Sequence, residues 1–175
     1  RSQTISTAFG TLEYAVAGSG SPLLMIHGTG GGFDQGLSFA SGLVKRGHQI
    51  VSPSRFGYLR SDFPVDPSLA NQADAFVALL DHLRIDKLPV MGGSAGALSA
   101  TAFALRHPDR CTKLILLVPA ANISGADPVA MGAIQEMGVR ALLNSDFIYW
   151  SALEVVPEKL VGTLLATDPI LLSTV

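Results

Sequence analysis

Leu88-Pro89-Val90-Met91-Gly92-Gly93-Ser94-Ala95-Gly96 is the stretch whose reading decides the fold. Leu88–Met91 is a short apolar run of the buried-strand type. From Ala95 to Arg106 small and apolar residues (Ala97, Leu98, Ala100, Ala102, Leu105) predict a helix buried on several sides. A strand that becomes a helix across Gly92-Gly93-Ser94-Ala95-Gly96 must turn so tightly that the serine adopts a strained backbone. Side chains at the flanking positions would collide, and Gly92, Gly93 and Gly96 stand there. The Ser94 hydroxyl is then expected at the C-terminal edge of a sheet, beside a helix N-terminus. Free N–H groups and positive potential at such an end suit a developing oxyanion, with the Ala95 N–H as first donor. The competing reading is a glycine-rich turn with an incidental serine. The strand before and the helix after favour G-x-S-x-G with Ser94 as nucleophile.

Upstream of this stretch, Thr4–Ala8 and Thr11–Ala17 read as two strands joined at Gly10, with a second turn at Gly18–Ser21. Pro22–Ile26 is another buried-strand run, and a glycine cluster, Gly28–Gly32, follows it. Asp34 is expected to cap a helix running to about Arg46, which Gly47 ends, and Gln49–Ser52 is the next strand. Ser54–Pro67 is a polar loop. Leu69–Leu83 is amphipathic: Leu69, Ala73, Phe76, Val77, Leu80 and Leu83 share a face, while Asn71, Asp74 and Asp81 point away. Downstream, His107–Arg110 leaves the helix after Ser94 and Lys113–Val118 reads as a buried strand. Strands alternating with helices from Pro22 to Val118 imply a parallel sheet covered on both faces, with the two leading strands as an antiparallel edge. After Pro119 the rhythm changes to short helical segments. Residues 1–121 are expected to form an α/β core and 122–175 a helical cap or lid.

Composition narrows the classes. Of the 175 residues 48% are hydrophobic and 15% charged, which suits a globular domain with a buried core. The net charge of −2, with scattered Lys and Arg, gives no nucleic-acid signature. Apolar runs such as Leu114–Val118 are far too short for a bilayer, so no membrane partner is expected. Arg1 suggests a trimmed start, and no signal-peptide pattern is visible. The single cysteine, Cys111, excludes an internal disulfide and fits a reducing, cytoplasmic setting; ahead of an apolar run it reads as a small core residue.

His27-Gly28-Thr29-Gly30-Gly31-Gly32 follows the Pro22–Ile26 strand. With the serine turn it resembles the α/β-hydrolase superfamily, in which such a loop supplies the second oxyanion donor. Thr29 N–H is the expected donor, with Gly30 as the alternative, and His27 is expected to order the loop through hydrogen bonds. A phosphate-binding reading is disfavoured because G-x-x-x-x-G-K-[ST] is absent, and no G-x-G-x-x-G stands correctly followed by an acidic residue. Ser54-Arg55-Phe56-Gly57-Tyr58-Leu59-Arg60-Ser61-Asp62 partly resembles the superfamily's loop after the fourth strand, with one glycine where two are usual, and is expected to brace the active-site loops. Asp81–Lys87 and His107–Arg110 are similar to the entry to the nucleophile strand and the exit from its helix. The resemblance runs from about Thr4 to Val118, and more weakly to Val175.

The resemblance implies a mostly parallel sheet with helices on both faces, N-terminal antiparallel strands and a helical cap. It implies hydrolysis of an ester or related acyl bond, or a carbon–carbon bond, through Ser94. No cofactor or metal is implied, since acyl transfer by serine needs none. Tyr149 and Trp150 are expected to line the pocket of a small, hydrophobic acyl or ester substrate.

Serine needs a base, and the base an orienting acid. The superfamily places both after later strands, in the order Ser, acid, His. None of the four histidines suits the role: His27 belongs to the oxyanion-side loop, His48 precedes a strand at the far side, His82 lies on an outer helix and His107 at the far end of the Ser94 helix. Among the acids, Asp34 reads as a cap and Asp127 lies too far along. The acid and the histidine are therefore expected outside these residues, in roughly 60–100 further residues at roughly 30 or more per strand–helix unit. A sheet lacking its C-terminal strands exposes an edge, so a complementing C-terminal fragment or homo-oligomer is an expected partner. The non-enzymatic alternative is a ligand-binding or interaction protein on the same scaffold. A dehalogenase is disfavoured because its nucleophile at this turn is a carboxylate.

Overall fold

The computed structural model describes residues 1–119 and, beyond them, Met137. By its internal contacts the chain divides into Arg1–Ile123 and Ser124–Val175; the sheet lies in the first. Its elements are β1 (Gln3–Thr7), β2 (Gly10–Ala17), β3 (Ser21–Ile26), α1 (Phe33–Phe39), α2 (Ser41–Lys45), β4 (His48–Pro53), α3 (Leu69–His82), β5 (Leu88–Gly93), α4 (Gly96–Arg106) and β6 (Cys111–Leu117). Six strands form one sheet in the order β1-β2-β4-β3-β5-β6. β1 pairs antiparallel with β2, and β2 with β4. β4, β3, β5 and β6 run parallel. This is the α/β-hydrolase fold with its antiparallel leading edge.

The apolar runs of β3 and β5 fill both faces because successive side chains point to opposite sides. Leu24, Ile26 and Val90 join Leu12, Tyr14, Phe76, Leu80 and Phe103 in the core beneath α3 and α4. Leu23, Met25 and Met91 join Ile50 and Ala40 on the other face, against Leu37, Leu43 and Val44 of α1 and α2. A strand buried on both faces has no polar alternation, which is why those runs read as continuous.

Four local expectations need correction. The helix expected from Asp34 to Arg46 is two short helices that share Ala40, buried at the bend with φ −95° and ψ 8°. Ser41 and Gly42 follow that bend and are weak helix formers. Gly32, not Asp34, precedes the first helical residue, and Asp34 sits in the first turn with Oδ1 accepting the Gly32 N–H. On α3, Leu69 is exposed at the helix start, while Gln72 is buried on the core face because its Oε1 accepts the Phe56 N–H at 2.7 Å. Ser68 caps this helix by accepting from Asn71 N. On α4, Leu98 and Leu105 are exposed, so its burial is confined to the face carrying Ala97, Ala100 and Phe103. β6 is largely exposed rather than buried, with Leu114, Leu116 and Leu117 open. It pairs with β5 on one side and with no other strand among the described residues. No helix among the described residues is long and apolar enough to cross a membrane.

Candidate active site

The ends of β3, β4 and β5 converge at the C-terminal edge of the parallel strands. The turn out of β5 holds Ser94 at φ +49°, in the left-handed region that costs a non-glycine residue energy. The Ser94 N–H donates to Leu117 O at 2.9 Å, and Ser94 O accepts from Ala97 N at 3.0 Å, so the strained residue is held from both sides. A β-carbon on Gly92 would lie 2.5 Å from Gly96 O and 2.7 Å from Ala100 Cβ. One on Gly96 would strike the carbonyls of Ile26 and His27. These glycines let α4 start hard against the end of β3. Ser94 and Ala95 are half-buried, and no hydrogen bond among the described residues takes up the Ser94 hydroxyl or the Ala95 N–H. Unspent groups at this edge are what a substrate oxygen can use.

His27 ends the strand run and is fully buried. Its Nε2 accepts the Arg55 N–H at 2.9 Å, and its Nδ1 lies 2.7 Å from Gly28 O. A backbone N–H can only donate and a carbonyl can only accept, so the ring is neutral with its proton on Nδ1. Burial, and then the nearby Arg55 cation, pull its pKa from 6.5 to about 4. Arg55 Nη2 also donates to Gly28 O at 2.9 Å. The guanidinium stacks over the Tyr58 ring at 4.7 Å, and that ring meets His27 edge-on. Burial lowers the Arg55 pKa, yet an arginine remains a cation there.

Gln35, on the first turns of α1, reaches back across the glycine loop. Its Oε1 accepts the Gly28 N–H at 2.8 Å and its Nε2 donates to Thr29 O at 3.2 Å. Thr29 and Gly30 are exposed, and their N–H groups have no hydrogen-bond partner among the described residues. The site of a Gly28 β-carbon lies 3.1 Å from Ser94 Cβ, so loop and serine turn are in contact.

Behind this loop lies a buried carboxylate. Glu13 of β2 accepts from Ser54 Oγ at 3.0 Å and from Arg60 N and Nε at 3.2 and 2.8 Å. Ser54 Oγ in turn accepts the Phe33 N–H at the start of α1. Burial pushes the Glu13 pKa up, but the hydrogen bonds led by Arg60 outweigh it and hold the carboxyl below its ordinary value. The loop after β4 is thus tied both to β2 and to α1.

The structure brings Ser94, Ala95, His27, Gly28, Gly92, Gly93 and Gly96 together, with Thr29 and Gly30 on the adjoining loop. It keeps the other histidines away. His48 opens β4, at the end of the parallel strands opposite the serine turn. His82 is exposed at the end of α3, and His107 follows α4, about 16 Å along that helix at 1.5 Å per residue. His107 Nε2 instead sits 2.8 Å from Asp74, which Arg106 also grips. Tyr149, Trp150 and the cap expected over 122–175 lie outside the described residues. Among those residues no group of three or more His, Cys, Asp or Glu could hold a metal. Sequence reading missed Gln35 and Glu13. The available signals were a polar residue one turn into a helix after a glycine loop, and a lone acid inside the apolar pattern Leu12-Glu13-Tyr14-Ala15.

Comparison with known proteins agrees with the fold. The family model described as alpha/beta hydrolase fold matches residues 21–149. The chain is 40% identical over 116 residues to the uncharacterized hydrolase YcgS of Bacillus subtilis, covering 66% of this chain and 40% of that one. It is 31% identical over 105 residues to 2-hydroxymuconate semialdehyde hydrolase of a Pseudomonas species, covering 58% and 37%. Among solved structures it is similar to an alpha/beta hydrolase fold protein from Nakamurella multipartita, with TM-score 0.71, 31% identity, and coverage of 95% of this chain and 56% of that one. The chain spans about two fifths of the length of the curated relatives it matches.

Proposed function

Because the chain belongs to the alpha/beta hydrolase fold family, we propose that it is the nucleophile-bearing part of a hydrolase that cleaves an ester or related acyl bond through Ser94. The observation that carries this reading is the strained Ser94 turn packed against the glycine loop, with the Ser94 hydroxyl and the loop's Thr29 and Gly30 N–H groups unspent among the described residues. In the reaction Ser94 Oγ bonds to the substrate's carbonyl carbon while its proton passes to a base. The carbonyl oxygen becomes an oxyanion held by the Ala95 and Thr29 N–H groups, with Gly30 as the alternative on the loop. Collapse breaks the bond to the leaving alcohol, which takes the proton from the base. Water then repeats the sequence on the acyl-serine and releases the acid.

None of the four histidines of these 175 residues takes the Ser94 proton in this reading. His27 has both nitrogens spent, and the other three lie away from the turn. The base therefore comes from outside these residues, on sequence that follows or on a complementing chain, and its orienting acid is proposed to come with it. Tyr149 and Trp150 are proposed as pocket lining for a small hydrophobic acyl or ester substrate.

A second reading, hydrolysis of a carbon–carbon bond next to a carbonyl, is favoured by the similarity to 2-hydroxymuconate semialdehyde hydrolase. It uses the same serine and donors. Assaying the full gene product on p-nitrophenyl butyrate and on a meta-cleavage dienoate separates the two. Turnover of the ester, lost in Ser94→Ala by about 10³-fold or more, supports the first reading. Turnover of the dienoate alone supports the second. Activity that survives Ser94→Ala contradicts both, and a folded native protein that turns over neither points to a binding protein.

A further inference from the structure

We infer that Gln35 is the positioning residue of the oxyanion loop: its side-chain amide clamps the peptides on either side of the Thr29 N–H and so fixes that donor's direction. The inference rests on the serine-hydrolase reading above. A trans peptide is planar, and its N–H points opposite to its C=O. Three consecutive peptides lead through this loop, and each has one end held. In the first, the Gly28 N–H donates to Gln35 Oε1. In the second, Gly28 O accepts from Arg55 Nη2 and the His27 Nδ1–H. In the third, Thr29 O accepts from Gln35 Nε2. The Thr29 N–H belongs to the middle peptide and is unspent among the described residues. It therefore points away from Arg55 and His27, and its neighbours on both sides are pinned by one amide.

The glycines support this assignment. A β-carbon on Gly31 would lie 2.5 Å from Gln35 Cβ and 3.0 Å from its Nε2, so the loop has no side chain where Gln35 crosses it. The site of a Gly28 β-carbon borders both Gln35 Oε1, at 3.4 Å, and Ser94 Cβ. The amide thus lies beside the reacting residue, although no described bond joins it to Ser94. Its orientation is also forced, since one partner is a donor and the other an acceptor. A carboxylate of the same shape accepts from Gly28 but cannot donate to Thr29, and two acceptors then face each other. A protonated carboxyl regains one donor.

The test is the rate at which a fluorophosphonate modifies Ser94 in the full gene product, native and Gln35→Glu, from pH 8 to pH 5. Loss of the hold on Thr29 O is expected to slow Gln35→Glu by roughly 10- to 100-fold at pH 8, the scale of a misplaced catalytic donor. The ratio of variant to native rate is expected to rise as pH falls and the new carboxyl gains a proton. Taking the ratio cancels the titration of the shared base. Gln35→Ala is expected to be slow at every pH. A ratio for Gln35→Glu that stays flat with pH, at unity or below it, overturns the clamp, because a packing defect does not follow the carboxyl's protonation. That outcome leaves the Ser94 reading intact. Failure of the native protein to be modified at Ser94 overturns that reading, and the clamp with it.

Discussion

His27 sits with its proton on Nδ1 and a lone pair on Nε2, and each nitrogen has a partner that accepts only one protonation state. Protonation would put two donors, the imidazolium Nε2–H and the Arg55 N–H, face to face. The folded protein therefore resists a proton that the unfolded chain accepts. Above pH 6.5 both states carry neutral histidine and the stabilisation is complete. As pH falls from 6.5 toward about 4, the unfolded chain binds the proton first and stability is lost. The loss is on the order of 3 kcal/mol, from the size of the shift at 1.36 kcal/mol per unit. Urea unfolding of the full gene product should show this slope between pH 7 and pH 4. In His27→Gln the protein is expected to be less stable at pH 7 and the slope shallower, so the two curves converge as pH falls. A constant gap between them would contradict the assignment of the slope to His27. At this scale the sequence made the serine and the glycines legible, because their spacing encodes a turn. It did not reveal Gln35 or Glu13, because a side chain that reaches across a loop leaves no periodic trace.

The elements that carry the site are set by close approach. α4 begins against the end of β3 only because residue 96 has no side chain to meet the Ile26 and His27 carbonyls. Gly96→Ala is expected to cost about 1–3 kcal/mol, the range for forcing extra volume into a packed site, and to displace Ser94. Gly42 in α2 is the contrasting case, since nothing lies within 4 Å of its β-carbon site. Gly42→Ala is expected to stabilise by about 0.4–1 kcal/mol through the unfolded chain. Thermal melting of the two variants beside the native protein checks both signs. β3, β5 and α3 were readable because long apolar runs and a helical stripe survive any tertiary context. The break at Ala40 was not, since Ser41 and Gly42 only weaken a helix and the burial of Ala40 in the cluster with Met25, Ile50 and Met91 leaves no mark in the sequence. Leu69 was misjudged for a related reason. At the first residue of a helix the periodic face has not yet met the core, and Gln72 takes the buried place through its bond to Phe56.

Across the whole molecule, the parallel strands deliver their C-terminal ends to one edge, and the loops that follow β3, β4 and β5 meet there. β6 presents Leu114, Leu116 and Leu117 and an edge with no partner among the described residues. Such an edge is a template for pairing with another chain. Expressed as these 175 residues, the protein is expected to self-associate, and Leu116→Lys to reduce the associated fraction in sedimentation. The parallel sheet with its antiparallel leading edge was legible from the alternation of elements, whereas the order β1-β2-β4-β3-β5-β6 was not, because alternation does not say which strands are neighbours. The exposure of β6 was not visible in its apolar composition, which reads as burial whether or not a neighbour is present. The proposed role of Ser94, at the C-terminal edge of the parallel strands, is that of the activated nucleophile of the full gene product. It is tested most directly by treating the full gene product with a fluorophosphonate and mapping the modified residue by mass spectrometry. Rapid modification confined to Ser94, and absent from Ser94→Ala, is the predicted result. A folded native protein that stays unmodified, or that carries the label at another residue, would contradict it.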